Sequence, residues 1–236
     1  MESIKIFKIG IFILLASALF GACVAVGELK EETRTIALDN AESVNVELKM
    51  GAGELKLEGG ARELMEGHFS YNIDHWKPEI DYHLVGKRGI LSVRQGKSHG
   101  IPVGNEKNKW EIYLKNDIPL DLKLKFGAGE GKIDLREMTL NSLAIDMGVG
   151  EMTLDLSGER KKSLDVTIDG GIGHGTLYLP ENLGVKIRID GGIGSVNAAG
   201  FSKSGHVYTN DAYGKTDVLI DINIDAGIGS IDLKLR

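Results

Sequence analysis

Four aspartates stand at one offset from a repeated glycine unit. Asp146, Asp169, Asp190 and Asp225 each lie two residues before the first glycine of a Gly-x-Gly. If the units stack as β-structure, these carboxylates form a column with neighbours about 4.8 Å apart. Like charges at that spacing repel unless something compensates them. Two compensations are open. The amides of each glycine corner can donate to the aspartate in an Asx-type turn. Alternatively, a hard cation such as Ca²⁺ can be shared between repeats through carboxylate oxygens. The nonapeptide Ca²⁺ repeat does not fit, because the aspartate it needs would fall where Gly175 and Val196 stand, and its nine-residue period is missing.

Other chemistry is sparse. The histidines His68, His75, His83, His99, His174 and His206 show no metal-ligand spacing, so no metal site is assigned. The single cysteine lies near the N-terminus, no Gly-x-Ser-x-Gly elbow is present, and the Gly-x-Gly units lack the third glycine and helix of a dinucleotide site. The expectation is a non-enzyme without cofactor. A net charge of −6 with no basic cluster beyond Arg160, Lys161 and Lys162, beside Glu159, argues against a nucleic-acid partner. Tyr71, Trp76, Tyr208 and Tyr213 fall in irregular insertions. They read either as an interaction surface for a protein or a sugar, or as caps over the ends of the fold.

The elements that must position these residues follow from the repeat itself. The units are Gly51-Ala52-Gly53, Gly127-Ala128-Gly129, Gly148-Val149-Gly150, Gly171-Ile172-Gly173, Gly192-Ile193-Gly194 and Gly227-Ile228-Gly229. From Gly127 to Gly192 the steps are 21, 23 and 21 residues, a solenoid period. Apolar residues alternate with period two on both sides, as in Leu120, Leu122, Leu124 and Phe126 before a unit, or Met152, Leu154 and Leu156 after one. On a strand that pattern puts one apolar row inward. Each repeat then reads as strand, glycine corner, strand and connection, with successive coils stacked on their nearest neighbours. Glycine suits the corner because it reaches positive φ cheaply and lets backbones approach, and Gly171→Val is expected to cost several kcal/mol if that corner needs φ > 0. Residues 33–37, 44–50 and 55–57 read as a first coil. A hairpin over 79–85 and 90–95 follows, and an insertion over about 200–216 interrupts the last repeat.

The N-terminus is a separate matter. Lys5 and Lys8 precede an uncharged stretch from Ile9 to Gly27, a signal-peptide pattern. Gly21 and Ala22 before Cys23 resemble a bacterial lipobox, with Phe20 where leucine is usual; lipidation of Cys23, cleavage after Ala25 or Gly27, and an uncleaved anchor helix all remain open. Residues 1–27 are therefore set apart as signal peptide or anchor, with 32–118 and 119–236 as the two parts of the body, placed outside the cytoplasmic membrane.

Two groups of motifs are familiar. The stretch from Gly67 to Ile73, then Trp76 to Tyr82 and Leu91 to Gln95, resembles the toast-rack domain of bacterial envelope proteins. The runs Leu179–Ile187, Gly191–Val196, Gly200–Gly205 and Asp225–Leu233 are similar to the C-terminal domain of LiaF-type cell-wall stress proteins. The resemblance implies an all-β, right-handed, single-stranded β-solenoid of adhesin-like proteins, with the hairpin as an N-terminal insertion. It further implies an envelope scaffold or interaction module, or a regulator of envelope stress; a small glycan-binding protein and an end-to-end homodimer are the remaining expectations.

Overall fold

The computed structural model of the chain describes residues 23–97, 101–103 and 105–236. The leader reading thus falls, up to residue 22, outside the described residues. Cys23–Ala25 (β1) runs parallel to a short segment further on, Ile101–Val103 (β7). In chain order the intervening strands are Lys30–Ile36 (β2), Ser43–Gly59 (β3), Met65–Tyr71 (β4), Pro78–Val85 (β5) and Arg88–Gln95 (β6). The rest are Asn108–Leu114 (β8), Leu120–Asp134 (β9), Leu140–Asp155 (β10), Leu164–Leu179 (β11), Gly184–Asp190 (β12), Ile193–Asn197 (β13), Phe201–Ser204 (β14), Val207–Asn210 (β15) and Leu219–Leu235 (β16).

Period-two sequence becomes period-two burial. Along β3 buried residues alternate with half-buried or exposed ones from Ser43 to Met50, and the pattern resumes after the glycines with Leu55 and Leu57 inside. The long strands β3, β9, β10, β11 and β16 each carry a Gly-x-Gly midway and pair in parallel with their neighbours over both halves. Inward rows such as Val46, Leu122, Leu143, Val166, Ile222 and Ile187 lie in register and are all buried. Each such side chain contributes about 1.5–3 kcal/mol of burial free energy. The result is all-β, with one open sheet of fourteen strands among the described residues. It runs without a break across residues 118 and 119, because β3 pairs with β9 along its length.

The stacking order departs from chain order at both ends. The rungs run β6 with β8, then β3, β9, β10, β11, β16, and last β12 with β13. The final long strand is therefore tucked between β11 and the β12–β13 rung, and β3 is tucked inside a rung that follows it in sequence. Expected nearest-neighbour stacking holds only through the middle. The first-coil reading is corrected as well: β2 does not lead into β3's rung but pairs antiparallel with β4, which pairs antiparallel with β8. The expected hairpin is β5–β6, turning at Gly86 and Lys87, and the 200–216 insertion contains a second hairpin, β14–β15, laid antiparallel on β12.

Candidate functional site

The corner ridge is built from backbone meeting backbone. A Cβ at the second glycine of every unit would run into the carbonyl oxygen of the rung on its β3 side. The distance is 2.1 Å at Gly53, 1.9 Å at Gly129 and Gly150, 3.0 Å at Gly173, 2.5 Å at Gly229 and 2.3 Å at Gly194. Positive φ is distributed less evenly. It falls on the second glycine at Gly53 (137°), Gly129 (127°) and Gly150 (141°), but on the residue before the unit at Gly170 (122°) and Gly191 (111°). Gly171 therefore needs no left-handed backbone; its constraint is steric, the Gly148 oxygen lying 2.5 Å from a Cβ there. The swap has a packing counterpart. In β3, β9 and β10 the residue before the unit is a buried Met50, Phe126 or Met147, and in β11 the partner of Met147 is Gly170.

Charge lines both flanks of this ridge. The four aspartates stand in adjacent rungs, in the order Asp146, Asp169, Asp225, Asp190. The column does not stop there. Lys125 is in register with Asp146, Lys49 with Lys125, and Arg94 with Lys49. Three cations and four anions thus make one segregated row. Lys49 and Lys125 stand at the same offset from their glycine units as the aspartates, so the signal was present in the sequence. Arg94 has no such unit after it, and only the fold places it. Among the described residues no corner amide donates to Asp146, and the carboxylate partner found in the acidic half is His206, 3.1 Å from Asp190. No group of three or more His, Cys, Asp or Glu side chains among the described residues is arranged to hold a metal ion. Beside the column, Lys125 Nζ lies 2.9 Å from Glu47 Oε1. That hydrogen bond holds the Glu47 carboxyl below its usual value and Lys125 above its own.

The other flank carries Glu54, Glu130 and Glu151 in consecutive rungs, followed by His174, Ser230 and Ser195. The glutamates, with Glu106, Asn108 and Trp76, line a cleft of about 710 Å³. His174 Nδ1 and Ser230 Oγ are 2.7 Å apart. No carboxylate among the described residues meets the second ring nitrogen, and His174 lines none of the described clefts, so the pair lacks the orienting group and enclosed site that activate a serine.

The aromatic surface expected from the insertions is corrected. Tyr71, Trp76 and Tyr208 are 3%, 6% and 6% exposed, and only Tyr213, at 43%, faces solvent. Tyr71, Ile73 and Trp76 form a small core of their own at the β4 end, while Tyr208 joins the main core. They close the ends of the stack, where an uncovered sheet end would expose apolar surface. Although Trp76 borders the cleft, at 6% exposure it offers too little ring for a sugar to stack on.

Known proteins resemble this chain in sequence, and one solved structure shares its architecture. Residues 25–178 match the family model for the N-terminal domain of toast_rack, DUF2154. LiaF of Bacillus subtilis (strain 168) is 27% identical over 143 residues, covering 55% of this chain and 59% of LiaF, so the chain spans well under the full length of that relative. The crystal structure of a putative cell adhesion protein from Clostridium sporogenes ATCC 15579 matches with a TM-score of 0.85 at 41% identity, covering 89% of this chain and 100% of that one.

Proposed function

From the premise that the chain belongs to the toast_rack N-terminal domain family, we propose that it is a non-enzymatic envelope module, held by its N-terminus outside the cytoplasmic membrane and presenting a rigid surface to a protein or cell-wall partner. The observation that carries this reading is the similarity, over 89% of this chain and the whole of the other, to the Clostridium sporogenes protein. The charged ridge supports it, since rows of opposite sign on a stiff scaffold favour orientation-specific docking more than catalysis. Cys23 supplies the attachment. Intact mass and membrane fractionation of the full-length chain beside Cys23→Ser test this: a diacylglycerol-sized mass gain in the membrane fraction, lost in the variant, is expected. Release of an unmodified chain into the medium would overturn the membrane-surface reading.

A second reading, regulation of envelope-stress signalling, is favoured by the match to LiaF. It requires a cell-wall stress reporter to change when the gene is deleted, whereas the docking reading does not.

A further inference from the structure

The stack has four sheet ends, two faces at each terminus, and three of them are closed. On the β3 side, β6 is covered by β5, and β8 by β4 and then β2. On the far side, β12 is covered by β15 and β14. The fourth end is β13. It pairs with β16 along one edge, and no described strand pairs with its other edge. The outermost strands elsewhere carry the usual protection against pairing: Lys30, Glu31, Glu32 and Arg34 on β2, Pro78 and Glu79 on β5, and Lys203 on β14. Residues Ile193-Gly-Ser-Val-Asn197 carry neither charge nor proline.

We propose that the open edge of β13 is a strand-acceptor site for an extended, acidic segment of a partner protein. This rests on the interaction-module reading above and names the partner's chemistry. The hairpin β14–β15 extends the other face two strands beyond the β12–β13 rung, which leaves a step beside β13. A groove of about 330 Å³ lies in that step, bordered by Ile189, Val196 and Tyr208 as apolar floor and by Lys203 and His206 as wall. Pairing two β13 edges would bring the two overhanging β14–β15 hairpins toward one another, which disfavours a second copy as the occupant. A single strand does fit, by adding main-chain hydrogen bonds to the edge.

The fold sets two requirements on that strand. At the second glycine position of every unit a Cβ would meet the carbonyl of the preceding rung, so a strand continuing the stack over Gly194 needs glycine there. The titratable groups lining the groove are Lys203 and His206. His206 already faces Asp190, whereas Lys203 lies 5.1 Å over the Tyr208 ring with no carboxylate at ion-pair distance among the described residues. An acidic side chain on the incoming segment complements it.

A probe with these properties exists within the chain. A labelled synthetic peptide of residues 225–235, Asp-Ala-Gly-Ile-Gly-Ser-Ile-Asp-Leu-Lys-Leu, has the glycines and the acidic groups. Anisotropy titration into the full-length protein is expected to show saturable binding, with slowed amide exchange at residues 193–197. Replacing both peptide glycines with valine, or introducing Val196→Lys in the protein, is expected to weaken binding by about ten-fold or more, equivalent to about 1.4 kcal/mol. Lys203→Glu, at an exposed position, tests the charge term should Val196→Lys disturb folding, and is expected to weaken binding while leaving the melting temperature in place. No binding at millimolar peptide, protection confined to β2 or β5, or binding indifferent to both protein variants would overturn the proposal. So would a concentration-dependent dimer of the unliganded protein that Val196→Lys abolishes, since the occupant would then be a second copy. None of these outcomes bears on lipidation or membrane location, so the failure of one reading is distinguishable from the failure of the other.

Discussion

Interior rungs and end rungs solve the same problem with different atoms. In the interior, each corner is closed by bare backbone: the second glycine lies so close to the preceding rung that a Cβ at Gly129 or Gly150 would come within 1.9 Å of a carbonyl oxygen. At the β3 end the rung beyond has no glycine corner, because β6 ends at Gln95 and β8 begins only at Asn108. Side-chain amides take its place. Gln95 Oε1 accepts from the N–H groups of Gly51 (2.8 Å) and Ala52 (3.2 Å), and Asn108 Nδ2 donates to Ala52 O (2.7 Å) and to Gln95 Oε1 (3.0 Å). At the other end Asn210 latches the hairpin. Its Oδ1 accepts from Val185 N–H at 2.9 Å, and its Nδ2 donates to Leu183 O at 2.7 Å and Pro180 O at 3.2 Å. A repeat satisfies its own backbone until it stops, and a buried polar backbone group must then find another partner.

The largest effects are expected in the interior. Gly150→Ala places a Cβ against a backbone carbonyl at a residue with φ of 141°, two penalties that no side-chain movement relieves. Its expected cost is at least about 4–5 kcal/mol, the range reserved for severe single changes. Gly148→Ala, with the Gly127 oxygen at 2.1 Å, should also be severe. The same position meets nothing within 4 Å in the end rung at Gly192, nor in the rung next to it at Gly227, so Gly192→Ala should stay within about 1 kcal/mol of the parent. Thermal melts of the three variants check this, and equal losses at Gly148 and Gly192 would remove the distinction.

Much of the interior was legible because period-two alternation and a fixed glycine spacing are local properties of the chain. Leu143, Ile145 and Met147 announce a strand wherever they are read. The order of the rungs was not legible. The insertion of β16 between β11 and β12 satisfies the same Gly-Ile-Gly register as stacking outside β12 would, so the sequence pattern is indifferent to the choice. Nor did the pattern distinguish an exposed Trp76 from a buried one, since an aromatic in an irregular segment serves equally as cap or contact. The aspartate row was readable at its offset, and the same offset contained Lys49 and Lys125. Its continuation to Arg94 required knowing that β6 pairs with β3.

At the ends the two asparagines are not equivalent. Asn210 has three polar contacts satisfied, and Asn210→Ala leaves Val185 N–H and two carbonyls without partners, at an expected cost of about 3 kcal/mol. Asn108 is equally buried, yet its Oδ1 has no partner among the described residues. Asn108→Ala removes two hydrogen bonds but also relieves one unpaired acceptor, so about 1–2 kcal/mol is expected. Urea denaturation of both variants decides the order, and a larger loss at 108 would mean that the β3 end, not the hairpin, governs closure.

The smallest effect concerns the cap over β4. Burial of Tyr71, together with the hydrogen bond its hydroxyl donates to the Glu32 carboxylate, pushes its pKa up to about 12. The same bond, more than the nearby Arg34 and Lys77, holds Glu32 below its usual value. A tyrosine whose folded pKa is raised contributes stability that is complete below its unfolded value of about 10 and is lost as pH rises through 12. A carboxylate whose folded pKa is lowered contributes above its unfolded value and is lost as pH falls through the folded one. The Tyr71–Glu32 contact should therefore stabilise the cap evenly between about pH 5 and 10 and weaken on both sides. Phenolate absorbance of the parent minus that of Tyr71→Phe isolates this ionisation. In Glu32→Gln it should move down only part of the way toward 10, because burial is the larger cause and remains. Ionisation of Tyr71 near 10 in the parent would mean that water reaches the ring and that the cap does not seal this end.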